Sequence, residues 1–206
     1  TASFRKGAYT DALNAAVQVS EEGQKDSAYQ SLLGDIYAHL GERDHAEKIF
    51  KDVIARNPDN DQGYLSLSLL RLRSNDIAGA RQILVQGQAR TPGSGKIAWG
   101  LGLVSALEGN TAQAAGLLEH AVDLLPEWPG SYSTLGVFYF QTGQMEKARE
   151  VLGRFKNSNA AGALDVNRIE QVLAAANTGT ATDGPMSLTK RQQLLQVALS
   201  LADRTL

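Results

Sequence analysis

The chain has 206 residues, 43% of them apolar and 20% charged, with a formal net charge of -2 and no cysteine. That composition excludes a disordered chain and a series of membrane spans, and the near-neutral balance gives no long-range attraction to nucleic acid or anionic lipid. The absence of cysteine excludes disulfides, thiol catalysis and cysteine-ligated metals, while leaving the compartment open.

Residues 1 to 26 read as the second half of a repeated unit. Gly7 and Ala12 fall in step with Gly41 and Ala46, 34 residues later, so a helix is expected over Tyr9 to Val19 with Ala12, Ala15, Ala16 and Val19 on one face. Phe4 and its neighbours would be a partial preceding helix, or an upstream segment of a longer parent would cover that face. Four full units follow at 27 to 60, 61 to 94, 95 to 128 and 129 to 162. A fixed period of this length is the mark of a stacked solenoid, in which each unit contacts only its neighbours.

Each repeated residue has a mechanical task. Gly41, Asn75, Gly109 and Gly143 sit where one helix ends and the next begins, and a left-handed residue there carries little steric cost. Gly34, Ser68, Gly102 and Gly136 lie seven positions earlier, inside a helix, where glycine costs about 1 kcal/mol relative to alanine. That cost implies a close approach of helices, and Ala46, Ala80, Ala114 and Ala148 are expected to face them from the second helix. Leu33, Leu67, Leu101 and Leu135, with Phe50, Leu84, Leu118 and Leu152, supply an apolar face at helical spacing. Pro58, Pro92 and Pro126 end the second helices. One segment dissents: Tyr64 to Leu69 alternates apolar and polar like a strand, yet its register with 29 to 40, 97 to 108 and 131 to 142 predicts a helix.

This pattern resembles the tetratricopeptide repeat (TPR) family, whose unit is a pair of antiparallel helices with small residues at these two places and a terminal proline. Ser68, Arg71, Ser105 and Ala160 depart from it at single positions. The resemblance implies an all-α, right-handed superhelical solenoid of about four repeats, with a partial repeat at the N-terminus and capping helices at the C-terminus. It also implies a non-catalytic scaffold for a protein or peptide partner. An accessory or regulatory domain of a larger protein or enzyme, or a self-association module acting through the terminal helices, is the alternative.

In the family the first helices line the binding groove. The matching positions are Ser31, Asp35 and Ala38, then Leu65, Leu69 and Leu72, then Trp99, Leu103 and Ala106, then Ser133, Val137 and Phe140. The groove residues drawn from these are Leu65, Leu69, Leu72, Trp99, Leu103, Val137 and Phe140, with a partly exposed Trp99 as the leading anchor. The plainer reading is that several of these side chains pack between adjacent units. A carboxylate clamp of the kind some members carry would fall on Ser31, Asp35, Ser66, Lys96 and Gly100; only Lys96 has suitable chemistry, and the clamp is rejected. His39, His45 and His120 have no metal-ligand spacing, and no phosphate loop, dinucleotide fingerprint or nucleophile elbow occurs, so no catalytic residue, metal or cofactor is expected. Partners are protein rather than nucleic acid or bilayer. The compartment is left open with a lean toward an exported or periplasmic chain; for a bacterial, exported parent the resemblance implies a role in envelope or pilus assembly.

Past Gly162 the period is lost. Asp165 is expected to cap a helix reaching Ala176, with Ile169, Val172 and Leu173 on its apolar side, so that 163 to 177 caps the solenoid and 178 to 187 is a mobile connection. Residues 188 to 206 then carry a stripe of Leu194, Leu195, Ala198, Leu201 and Ala202, with Thr189 and Gln192 as a capping box and Lys190, Arg191, Gln193, Gln196 and Arg204 on the outer side. A helix this short is marginal in water unless it docks. Three places can receive it: the flank of the 165 to 176 helix, the chain's own groove, or a neighbouring molecule's first helix. The flank is the expected site, because a terminal repeat exposes a face that needs a cover.

Overall fold

The computed structural model describes residues 2–16, 26–158 and 186–205. The described residues form α1 (Ala2–Ala16), α2 (Ser27–Leu40), α3 (Arg43–Arg56), α4 (Asp61–Arg73), α5 (Ile77–Arg90), α6 (Gly95–Glu108), α7 (Thr111–Leu124), α8 (Pro129–Gln141), α9 (Met145–Lys156) and α10 (Leu188–Thr205). There is no strand among them. The expected 165 to 176 helix and nearly all of the connection before α10 lie outside the described residues.

The turn inside each repeat forms as its residues demand. Gly41, Gly109 and Gly143 have φ of 88°, 90° and 80°, and Asn75, the one non-glycine residue at positive φ among the described residues, has 59°. At each turn two backbone bonds close the end of the first helix. Gly41 and Glu42 donate to the carbonyls of Ala38 and Tyr37 (3.3 and 2.9 Å), and Asn75 and Asp76 to those of Leu72 and Arg71 (3.0 and 2.9 Å). Gly109 and Asn110 repeat this on Ala106 and Ser105, as do Gly143 and Gln144 on Phe140 and Tyr139. These are paired 5→2 and 6→1 closures about a left-handed residue. The next helix starts from a polar cap where one is supplied: Asp26, Asn60, Asp76 and Ser94 accept backbone N–H bonds at the starts of α2, α4, α5 and α6.

The chain divides into two compact units, Thr1–Pro92 and Gly93–Leu206. In the first, α1 packs on α2, α2 on α3, α3 on α4, α4 on α5, and the first helices α2 and α4 meet. Its core gathers Ala46, Phe50, Leu67 and Leu70, with Tyr37, Ala38, Ile54 and Ile83 at the margin. The strand-like segment is helical, within α4, and residues 63 to 70 are all buried. A helix covered on every side needs no apolar stripe, which explains the missing helical period. Its serines are not left unpaired: Ser68 Oγ donates to the Leu65 carbonyl (2.7 Å), and Ser66 Oγ accepts from Gln62 Nε2 (3.2 Å).

Two expectations need correction here. Helix α1 runs unbroken through Gly7 from Ala2, whereas a turn was expected at Gly7. Continuing a helix adds a hydrogen bond per residue at small cost, and Gly7 tolerates helical φ/ψ as well as the left-handed turn. Second, the nearest neighbours of Gly34 and Gly102 are not the alanines expected to face them. A Cβ on Gly34 would overlap the Phe50 ring, and one on Gly102 would stand 2.8 Å from Leu118 Cγ. At these two positions the bulky residue of the second helix fills the place of the missing side chain, so small meets large, whereas at Gly136 the nearest atom is Val151 Cγ1 at 3.9 Å.

In the second unit α6 packs on α7, α7 on α8, and α8 on α9, while the first helices α6 and α8 meet each other. Helix α10 stands outside this pairwise series and lies against α8 and α6. Of the three receiving places, the described residues therefore put α10 on its own unit's first helices. Its N-cap is Ser187, whose Oγ accepts from Lys190 N (3.3 Å), rather than Thr189, because the helix begins at Leu188 and a cap must stand just outside it.

Candidate functional site

The first helices place the seven groove residues in two sets. Leu65, Leu69 and Leu72 lie on α4 in the first unit; Trp99 and Leu103 on α6, and Val137 and Phe140 on α8, lie in the second. Six of the seven are buried, and Phe140 is half-buried. Trp99 was expected to be partly exposed and has no exposed surface. Its ring meets Trp128, at the start of α8, edge to face with centroids 5.1 Å apart. The reason is that α6 is flanked by its own second helix, α7, and by the next first helix, α8, so little of its surface remains for solvent. In the second unit α10 adds a further cover.

That cover is specific in its polar contacts. Lys190 Nζ donates to the Gln141 carbonyl at the end of α8 (2.9 Å), and Arg191 donates through its guanidinium to the Leu107 carbonyl at the end of α6 (3.1 Å). Arg191 Nε also donates to the Met186 carbonyl (2.9 Å), which folds the side chain back over the start of its own helix. Both residues were expected on the outer side of α10. They instead complete the last turns of two other helices, whose carbonyls lack partners within their own helix and carry the negative end of the macrodipole. Beneath them Met186, Leu194, Ala198 and Leu199 are buried, while Leu188, Gln192, Gln193 and Gln196 face solvent. The side chains of Leu201 and Ala202 lie outside the described residues.

The same packing leaves two polar atoms unsatisfied. Trp99 Nε1, on α6, and Gln141 Oε1, on α8, are buried with no hydrogen-bond partner among the described residues.

Elsewhere the polar chemistry serves the stack. Arg71 stands where two other repeats carry tyrosine, and its guanidinium pairs with Glu47 of α3 at 2.5 Å. Lys51 also bonds Glu47 (2.7 Å), and chiefly that bond, with the charge of Arg71, holds the Glu47 carboxyl below its ordinary pKa against the opposing effect of burial. Tyr139, the equivalent of Arg71 two repeats on, donates its hydroxyl to Glu119 of α7. Burial first, and the Glu119 carboxylate second, push the phenol well above its usual range. Arg71, in place of the aromatic, thus keeps a tie to a glutamate of the preceding second helix, as Tyr139 does. Among the rejected clamp positions, the Ser31 hydroxyl donates to the Ser27 carbonyl (2.8 Å). No group of three or more His, Asp or Glu that could hold a metal occurs among the described residues, and no described helix is long and apolar enough to cross a membrane.

Family models for the tetratricopeptide repeat match residues 21–60, 65–132 and 105–177. The chain belongs to the tetratricopeptide repeat family. No curated protein matches it by sequence. Among solved structures, a thermophilic TPR protein of Thermus thermophilus is similar at TM-score 0.69 and 23% identity, over 83% of this chain and 93% of that one. A TPR protein of Parabacteroides merdae is similar at TM-score 0.59 and 15% identity, over 95% of this chain and 79% of that one. A chain of the APC/C hetero-tetramer Cut9-Hcn1 is similar at TM-score 0.64 and 21% identity, over 94% of this chain and 35% of that one. At these identities the likeness is one of fold. A TPR fold is in general a scaffold for protein–protein interaction.

Proposed function

We propose that the chain is a non-catalytic protein-binding scaffold whose first helices receive a peptide or helix through apolar anchors. The receiving row of the second unit is Trp99, Leu103, Val137 and Phe140 on α6 and α8, and that of the first unit, taken by itself, is Leu65, Leu69 and Leu72 on α4. The observation that carries this reading is the seating of α10 on α6 and α8: an amphipathic helix rests there with Leu194 and Ala198 fully buried. A face that accepts one such helix has the width and polarity to accept another. The rows carry no ionisable side chain, so affinity comes from apolar burial and is only weakly screened by salt.

The test is selection of helical peptides displayed on phage against the full chain. Enriched peptides are expected to show apolar residues three and four apart, to bind with little change between roughly 0.05 and 0.5 M salt, and to lose at least tenfold in affinity on Phe140→Glu with an unchanged far-UV spectrum. Enrichment of charged, salt-sensitive peptides indifferent to Phe140→Glu would overturn the reading.

A further inference from the structure

We propose that α10 is a resident ligand of the second unit, and that the partner it gives way to is an amphipathic helix opening with a basic pair. The inference rests on the groove reading above and adds to it both a regulatory contact and a recognition rule.

Three observations carry it. The first is position. Helices α6 to α9 already pack in sequence upon one another, and α10 joins from outside that series, on the first-helix side. The second is the manner of attachment. Lys190 and Arg191 occupy the first turn of α10, where a positive charge opposes the helix's own dipole. They are compensated by the terminal carbonyls of α8 and α6. Those acceptors recur at the same end of both receiving helices, so an incoming helix reads them with two adjacent cations and then sets its apolar residues a turn further on, as Leu194 and Ala198 do. Arg191 is fitted closely: a Cβ on Gly109, in the turn after α6, would stand 2.6 Å from its guanidinium. The third is incompleteness. With α10 seated, Trp99 Nε1 and Gln141 Oε1 on the two receiving helices are buried and have no hydrogen-bond partner among the described residues. An unpaired buried polar atom disfavours the state that contains it. A ligand that reached either atom with a complementary group would remove that penalty and gain on α10.

The test uses a synthetic peptide of residues 186–206, labelled for fluorescence anisotropy, with the full chain as receptor. In the wild type α10 already fills the site, so the apparent affinity falls by the fraction of molecules that are open. Leu194→Glu in the full chain puts a charge at a fully buried position of α10 and empties the site. The peptide is expected to bind this variant at least tenfold more tightly than the wild type. A peptide carrying K190E and R191E is expected to lose that binding. Equal affinity for wild type and variant, or equal affinity of the two peptides, overturns the proposal while leaving the phage-selected binders, and the scaffold reading, untouched. Should Leu194→Glu melt the second unit, α10 is a structural cap if the full-chain Lys190→Glu/Arg191→Glu variant, which alters only half-buried groups, also fails to bind the peptide more tightly than the wild type. A wild-type dimer that Leu194→Glu converts to monomer would show that α10 is exchanged between copies, and would overturn the intramolecular contact.

Discussion

Alanine at Gly34 and at Gly136 should move stability in opposite directions, although the two glycines hold the same place in their repeats. Helix propensity favours the substitution at both by about 1 kcal/mol. The surroundings differ. At Gly34 the new methyl would lie 2.9 Å from Phe50 Cδ1 and Cζ and closer still to Cε1 between them. Phe50 is fully buried in the core with Ala46, Leu67 and Leu70, so the ring has to retreat by about 1 Å into packed neighbours. Overpacking of that kind costs about 1–3 kcal/mol, leaving a net loss of about 1 kcal/mol. At Gly136 the nearest atom is Val151 Cγ1 at 3.9 Å, an ordinary contact, and the propensity gain of about 1 kcal/mol survives. The two variants should therefore differ by about 2 kcal/mol, or roughly 10 °C in melting midpoint for units of this size. Far-UV dichroism follows both units, while fluorescence follows the second alone, since both tryptophans, Trp99 and Trp128, lie there. In a Phe50→Leu background the penalty of Gly34→Ala should shrink, because the ring that opposes the methyl is gone. A rise in midpoint for Gly34→Ala matching that of Gly136→Ala would refute the account of why α2 carries glycine at position 34.

Trp99→Ala should cost about 3–5 kcal/mol of stability in the second unit, as loss of a fully buried indole does, measured by urea unfolding; a cost below about 1 kcal/mol would show that the side chain is not part of the core. Asn75→Gly should leave the urea midpoint within about 0.5 kcal/mol of wild type, and Asn75→Ala should lower stability by about 1 kcal/mol, because φ is 59° there and a Cβ without a local polar partner is disfavoured. Tyr139 has a folded-state pKa raised above the unfolded value of 10.0, so its neutral form is favoured in the fold; that stability is fully present below pH 10 and is lost as pH climbs toward the folded value. Urea midpoints measured from neutral to strongly alkaline pH should fall for the wild type and fall less for Tyr139→Phe; parallel curves would refute the role of the buried phenol.

The repeat, its length and the class of each turn were legible in the sequence because they depend on local chemistry. A left-handed residue between helices is a property of Gly41, Asn75, Gly109 and Gly143 themselves, and the same closing bonds form around each of them. Register likewise overruled local appearance at Tyr64 to Leu69, where the strand-like alternation came from a helix with no exposed side. What fills the space beside a small residue was not legible. Gly34 announces a close approach, but whether Ala46 or Phe50 makes it depends on the rotation of α3 about its axis, which only packing sets. Burial of Trp99 was hidden for the same reason, since it depends on how many neighbours a first helix acquires. The seat of α10 depended on tertiary structure most of all. Its apolar stripe required a partner and matched several. The one signal that bore on the choice was the pair Lys190 and Arg191 in its first turn, where positive charge opposes the helix's own dipole at a small cost. That cost is met only where the carbonyl ends of α6 and α8 come together, and two helices 34 residues apart come together only in the folded chain.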